Sequence, residues 1–222
     1  RTDTQKKVKS SKISKVMADG YEALDMKCQM IIDAFDEELP LFQEIKDAAI
    51  SKISEVLKAN DVEVTAVEAR VKKRDSLIGK LVRKGHKYHT IDDITDLVGI
   101  RIITLFNDDV DRVASYMEQM FDVDWNESID KRKMHQMDSF GYNSLHYVCR
   151  IPTSLFNDDK HPELNDIRFE IQMRSTLQHA WAAMEHDIGY KSEIETPPEY
   201  MRMFGRLAGM VGMVDGGVLK NG

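Results

Sequence analysis

Cysteine is scarce in this sequence: Cys28 and Cys149 are far apart and form no Cys-x-x-Cys pair. A disulfide framework and a thiolate-built zinc site are therefore disfavoured, and a reducing, cytoplasmic setting is expected. Long apolar runs are also missing. No stretch approaches the ~20 residues of a membrane span, and the basic start, Arg1 to Lys15, is not followed by a signal-peptide core. No membrane partner is expected. An excess of positive charge is lacking as well: 38 acidic residues face 31 basic ones, a formal net charge of -7. That balance argues against a general nucleic-acid coat or a membrane-surface protein, while leaving room for a locally basic site. There is no Gly-x-x-x-x-Gly-Lys-Ser/Thr loop, no Gly-x-Gly-x-x-Gly and no Gly-x-Ser-x-Gly, so P-loop, Rossmann and serine-hydrolase readings have no support.

What is present is enough for an ordinary core: 222 residues, 42% of them hydrophobic and 31% charged. One or two domains follow. Residues 1–15 are Lys/Ser-rich and aperiodic, and read as a flexible basic arm. Residues 16–60 read as an N-terminal helical pair. Tyr21, Leu24, Cys28, Ile31, Ile32 and Phe35 recur at helical spacing until Pro40, and Phe42, Ile45, Ala49, Ile53, Val56 and Leu57 form a second stripe closed by Asn60.

From there the period changes. Val67, Ala69 and Val71 alternate with Glu68, Arg70 and Lys72, the pattern of a strand with one polar face. Asp75 to Lys84 reads as a helix stopped at Gly85, Leu97 to Leu105 as a strand buried on both faces except at Arg101, and Asp108 to Met120 as a helix. Further strands are expected at Leu145 to Ile151 and Ile167 to Met173, then a helix from Ser175 to about Tyr190. Residues 61–195 thus form a second unit, and residues 196–222 a Met- and Gly-rich C-terminal helix and tail, expected to be cut from a longer chain. The fold class is α/β (α+β): a mixed β-sheet flanked by helices, with an N-terminal helical layer.

The chemistry concentrates on the polar strand faces. Phe169, Ile171 and Met173 alternate with Glu170, Gln172 and Arg174, and Leu145, Tyr147 and Cys149 with His146 and Arg150. If these strands share a sheet, one face carries Arg, Lys, His, Gln and a single central carboxylate; a solvated face is the competing explanation. The cations Arg70, Lys72, Lys73, Arg74, Lys80, Arg83, Lys84 and Lys87, opposed only by Asp75, call for an anionic partner or for pairing with acidic helices. Ser76 falls near a helix start, where free N–H groups and the dipole favour a phosphate, and Lys80 lies one turn on. Asp96 and Glu170 are the carboxylates suited to Mg²⁺, which takes a few carboxylates and fills its shell with water and phosphate oxygens. Asp92 and Asp93 read as capping residues. His179 and His186 lie roughly 10.5 Å apart along one helix, too far to share a metal ion. Their neighbours Leu177, Ala180, Trp181, Met184 and Ile188 read as a core-facing stripe, so a packing or supporting role is expected of the histidines.

Four ordered blocks add a resemblance. They are Arg70-x-Lys72-x3-Ser76-x3-Lys80; Asp96-Leu97-x-Gly99-x-Arg101-Ile102; Gly141-Tyr142-x-Ser144-Leu145-His146; and Glu170-Ile171-Gln172-x-Arg174, continued by His179-x-Trp181-Ala182-x2-Glu185-His186 and Tyr190-Lys191. Across about Val64 to Lys191 the chain resembles the synthetase domain of the RelA/SpoT alarmone synthetases, and its small stand-alone members most. The resemblance implies a nucleotidyltransferase-like synthetase fold that moves the β,γ-pyrophosphate of ATP to the 3′-hydroxyl of GDP or GTP, forming ppGpp or pppGpp and AMP. It also implies roles. Arg70 and Arg101 would sandwich adenine, and Lys72, Ser76 and Lys80 would hold the ATP phosphates. Asp96 and Glu170 would bind Mg²⁺, with Glu170 accepting the proton of the attacking hydroxyl. Tyr142 would stack on guanine, while His146, Gln172 and Arg174 would serve the acceptor.

One departure bears on that acceptor. Many members of the family carry Lys-x-Asn-Gly-Tyr where this chain has Asp138-Ser139-Phe140-Gly141-Tyr142. Lys131, Arg132 and Lys133 stand just upstream. The alternatives are a toxin-like relative that pyrophosphorylates the 3′ end of tRNA, and a nucleotide-binding regulator without catalysis. The family's hydrolase motif is not found, since no His precedes His86 and Met184-Glu185-His186-Asp187 belongs to the synthetase block. Small members commonly form homo-oligomers, and one is implied as possible here too.

Overall fold

A computed structural model describes residues 20–130 and 144–191, the last eight by backbone alone, together with residues 206 and 210. The basic arm, the segment carrying Tyr142 and Lys131 to Lys133, and most of residues 196–222 lie outside the described residues.

The first long element is a single helix, α1 (Met26–Ala59). The break expected at Pro40 does not occur; the chain instead breaks at residues 23–25, where the Asp25 carboxylate caps α1 by accepting the Cys28 N–H at 2.7 Å. The reason lies in the apolar seam. Phe35 and Phe42 stand two turns apart on either side of the proline and stack with centroids 5.7 Å apart, and Cys28, Ile31, Ile32, Ile45, Ala49, Ile53 and Leu57 extend the same buried stripe. Pro40 itself is exposed, so the carbonyl it leaves without a donor can turn to water. Burial along the whole seam outweighs the ~3 kcal/mol cost of an interior proline.

After α1 come β1 (Ala66–Val71) and α2 (Arg74–Lys84), short 3₁₀ turns at Gly85–Lys87 and Ile91–Asp93, β2 (Val98–Thr104) and α3 (Asn107–Met120). Two-residue strands β3 (Asp122–Val123) and β4 (Ile129–Asp130) follow, then β5 (Leu145–Arg150), a 3₁₀ turn at Pro162–Asp166, β6 (Phe169–Ser175) and α4 (Thr176–Lys191). Six strands form one sheet in the order β1-β2-β6-β5-β3, with β4 also on β5. The β2–β6 pair is parallel and the others antiparallel, giving the expected mixed sheet.

Strand alternation sorts the sheet's two faces. Val98, Ile100 and Ile102, Leu145, Tyr147 and Cys149, and Phe169, Ile171 and Met173 point into one core. α1 packs on β1 and β2, and α3 on β2 and β6, so the N-terminal helix forms, with α3, the helical layer over that core. The opposite face carries the polar residues Glu68, Arg70, Arg101, His146, Glu170 and Gln172, with Ile103 and Val148 buried among them. One close approach fixes the end of α2: a Cβ on Gly85 would stand 2.6 Å from Cys28 Sγ, so only glycine lets α2 close down on α1 there.

α4 differs from the expected apolar stripe. Trp181 is buried, but so is Gln178, while Ala180 is exposed. Gln178 is drawn inward by a reciprocal cap: its Oε1 accepts the Ser175 N–H at 2.8 Å, and its own N–H donates to Ser175 Oγ at 3.1 Å. Its Nε2 donates to Asn107 Oδ1 at 2.9 Å, tying α4 to α3.

Candidate active site

The polar face reads as a row across four strands. Glu68 on β1 stands opposite Arg101 on β2, Arg101 opposite Gln172 on β6, and Gln172 opposite His146 on β5. Two residues along, Arg70 and Glu170 flank Gly99 from either side. Gly99 has no side chain to fill the gap, and a Cβ there would meet nothing nearer than Arg70 Nε at 4.0 Å. The result is a cavity of 290 Å³ lined by Glu68, Arg70, Asp96, Arg101, Glu170 and Gln172.

Asp96 enters from the turn before β2. Its Oδ1 accepts from Lys80 Nζ at 2.7 Å and its Oδ2 pairs with Lys72 Nζ at 3.0 Å. Lys72 is brought there by its backbone N–H, which donates to the Leu97 carbonyl at 2.7 Å just past Asp96. Lys80 comes from mid-α2 and lies 5.3 Å from the centre of the Tyr88 ring. Burial pushes the Asp96 carboxyl up, but the Lys80 hydrogen bond and the charges of both lysines outweigh it and hold the group below its usual range. For Lys80 burial acts downward and the Asp96 bond and charge reverse it, so its ammonium is held above its usual range.

Glu170 is gripped from the other side. His146 Nδ1 lies 2.7 Å from Glu170 Oε1, and Gln172 Nε2 donates to the same oxygen at 3.2 Å. Burial raises this carboxyl, the His146 and Gln172 contacts lower it, and the charge of nearby Asp96 raises it again; the balance falls below the usual carboxylate value.

Arg101 Nη1 donates to Glu68 Oε2 at 3.1 Å, while its Nε is buried without a partner among the described residues. Arg174 is buried behind it, its Nε likewise unpaired. Burial and the Arg101 charge push its guanidinium down to about 10, still charged at neutral pH. His179 feels the same pair: burial first, then the charges of Arg174 and Arg101, lower its imidazole.

Of the residues singled out by sequence, Arg70, Asp96, Arg101, Glu170 and Gln172 line one cavity; Lys72 and Lys80 join it through Asp96, and His146 through Glu170. Ser76 does not line the cavity; it is exposed in the first turn of α2, whose N-cap is Lys73. Arg174 is near enough to Arg101 to feel its charge and does not line the cavity. Tyr142 lies outside the described residues. Asp93 caps as expected, accepting the backbone N–H groups of His89 and Thr90 at 2.6 and 3.1 Å. Glu68, on the polar face by alternation but given no site role, lines the cavity from β1, two strands from Glu170. The other residue that sequence reasoning missed is Ser144, whose Oγ is 2.6 Å from His146 Nε2. Its position two before His146, on the same face of an extended segment, was the available signal.

Known proteins point to one family and one fold. The model of the region found in RelA / SpoT proteins matches residues 69–195. A curated relative, GTP pyrophosphokinase YwaC of Bacillus subtilis, is 29% identical over 182 residues, covering 76% of this chain and 81% of its own. The solved small alarmone synthetase 2 of Bacillus subtilis is 26% identical, with a TM-score of 0.66, over 82% of this chain and 94% of its own. Small alarmone synthetase 1 of the same organism, bound to its product pppGpp, is 23% identical with a TM-score of 0.64, over 82% and 93%. The same protein bound to AMPCPP gives 21% and 0.56, over 82% and 92%. This chain belongs to the RelA/SpoT family, and its fold is that of the small alarmone synthetases.

Proposed function

We propose that this protein transfers the β,γ-pyrophosphate of ATP to the 3′-hydroxyl of GDP or GTP, releasing AMP and forming ppGpp or pppGpp. Family membership supports an enzyme of this class. The relative named a GTP pyrophosphokinase, and the relative solved with pppGpp and with AMPCPP, support nucleotides on both sides of the reaction. The observation that carries the reading is a pair of carboxylates, Asp96 and Glu170, on one cavity rimmed by Lys72, Lys80, Arg70 and Arg101.

In this reading Lys72 and Lys80 exchange the Asp96 carboxylate for the triphosphate, keeping charge balanced as the anion enters. Arg70 and Arg101 offer flat guanidinium faces to the base. Glu170 receives the proton of the 3′-hydroxyl as that oxygen bonds to the β-phosphorus and the bond to the α-phosphate oxygen breaks, with AMP leaving. Asp96 and Glu170 form an all-oxygen donor pair close enough for one charge to act on the other, which fits Mg²⁺. When bound, that ion would offset charge developing on the phosphate oxygens. Synthesis without hydrolysis completes the reading.

An acceptor screen with labelled ATP and Mg²⁺ against GDP, GTP, GMP and deacylated tRNA tests it. Label in ppGpp or pppGpp with matching AMP is expected. Label only on tRNA would replace the acceptor with the 3′ end of that RNA, and ATP binding without AMP would leave a regulator instead of an enzyme.

A further inference from the structure

Every described protein hydrogen bond to Glu170 falls on one oxygen, Oε1, which meets His146 Nδ1 at 2.7 Å and Gln172 Nε2 at 3.2 Å; Oε2 has none among the described residues. The ring nitrogen that faces the carboxylate is Nδ1, and a carboxylate accepts, so the geometry puts a proton of His146 on Nδ1. On the far side of the same ring Ser144 Oγ stands 2.6 Å from Nε2, within reach to donate to it.

We infer that Ser144 is a positioning residue for the transfer: by donating to His146 Nε2 it selects the Nδ1–H tautomer, and His146 in turn pins Glu170 by Oε1 and leaves Oε2 for the acceptor's hydroxyl. Glu170 on β6 and His146 on β5 are held by the pairing of their strands, but the ring's tautomer is not set by the sheet. Without a donor at Nε2 the proton is free to move there, and Nδ1 would then present a lone pair to the carboxylate. Ser144 is 8% exposed, so no solvent layer replaces its hydroxyl at little cost. Gln172 alone, at 3.2 Å, leaves the carboxylate free to rotate. A misaimed base slows the chemical step without changing how either nucleotide binds.

The inference rests on the proposed transfer, and two readouts keep them separable. The first is kinetic, on the full chain with ATP, Mg²⁺ and GDP. Ser144→Ala should lower kcat about 10-fold, the effect of ~1.4 kcal/mol in the barrier, with both KM values within about 2-fold. Ser144→Thr, which keeps the hydroxyl, should recover most of the loss. If the Ala variant does not fold, Ser144→Cys, of similar size and a weak donor, serves in its place. The second is ¹⁵N NMR of the His146 ring at a pH where imidazole is neutral: protonated Nδ1 and bare Nε2 in the wild type, a mixture in Ser144→Ala. Unchanged kcat in a folded Ala variant, failure of Thr to rescue, a raised acceptor KM with kcat intact, or a wild-type ring protonated on Nε2 would each overturn the inference. Absence of AMP from the wild type would overturn the functional reading alone, and the NMR result would still decide this one.

Discussion

Lys80 donates to Asp96 at 2.7 Å while Lys72 holds the other oxygen of the same carboxylate at 3.0 Å, so one anion neutralises half of a paired cationic site. In the proposed reading the carboxylate occupies the place that a phosphate takes between the two ammonium groups. Replacing it should therefore separate binding from chemistry. Asp96→Asn leaves both lysines without their counter-charge, and ATP in EDTA should bind more tightly than to the wild type, by calorimetry. Transfer with Mg²⁺ should fall by on the order of 100-fold or more. Weaker metal-free ATP binding would show that Asp96 does not compete with phosphate for the lysines.

Gly85 stands against Cys28, with no room for a Cβ. Gly85→Ala should destabilise the fold by about 1–3 kcal/mol in urea unfolding, the usual cost of forcing atoms into a packed site. Adding Cys28→Ala removes the opposing sulfur, so the double variant should be less destabilised than the two single losses summed. Simple additivity would place the strain elsewhere.

Pro40 sits inside α1 on its exposed side. Pro40→Ala restores an interior N–H and should raise unfolding free energy by about 1–3 kcal/mol. A loss of stability would mean that the proline's bend is needed to lay the seam from Cys28 to Leu57 on the sheet.

Cys149 is fully buried in β5, and burial pushes its thiol from 9.0 up to about 12. The sign follows directly. Above pH 9 the unfolded thiol ionises while the folded one does not, so its contribution is complete below about 9 and is lost as pH rises toward 12. Cys149→Val should therefore flatten the decline of stability over that window relative to the wild type. The native thiol should also resist iodoacetamide at pH 8 and react on unfolding.

The strands and their faces were legible because alternation is local: Glu170 and Gln172 had to oppose Phe169, Ile171 and Met173 once the segment was a strand. Partners across the sheet were not. Glu68 falls on the polar face by its position, yet only the β1–β2 register sets it against Arg101, and only the β5–β6 register brings His146 to Glu170. Local rules also failed where tertiary burial outweighed them. Pro40 is a strong stop signal in isolation, and the stacked Phe35 and Phe42 show why it was overridden. Gln178 reads as polar surface, but Ser175 and Asn107 give it the bonds that make burial tolerable. Strands β3 and β4, two residues each, are too short to show a period.

The central claim is that Asp96 and Glu170 serve one transfer reaction in one cavity. The most direct measurement follows [γ-³²P]ATP with Mg²⁺ and GDP in the wild type and in Glu170→Gln, with ATP affinity measured in parallel. The account predicts labelled ppGpp and equal AMP from the wild type, and no transfer but near-normal ATP binding from the variant. Equal transfer by both proteins, or ATP binding by a folded wild type that yields no AMP with any acceptor, would contradict it.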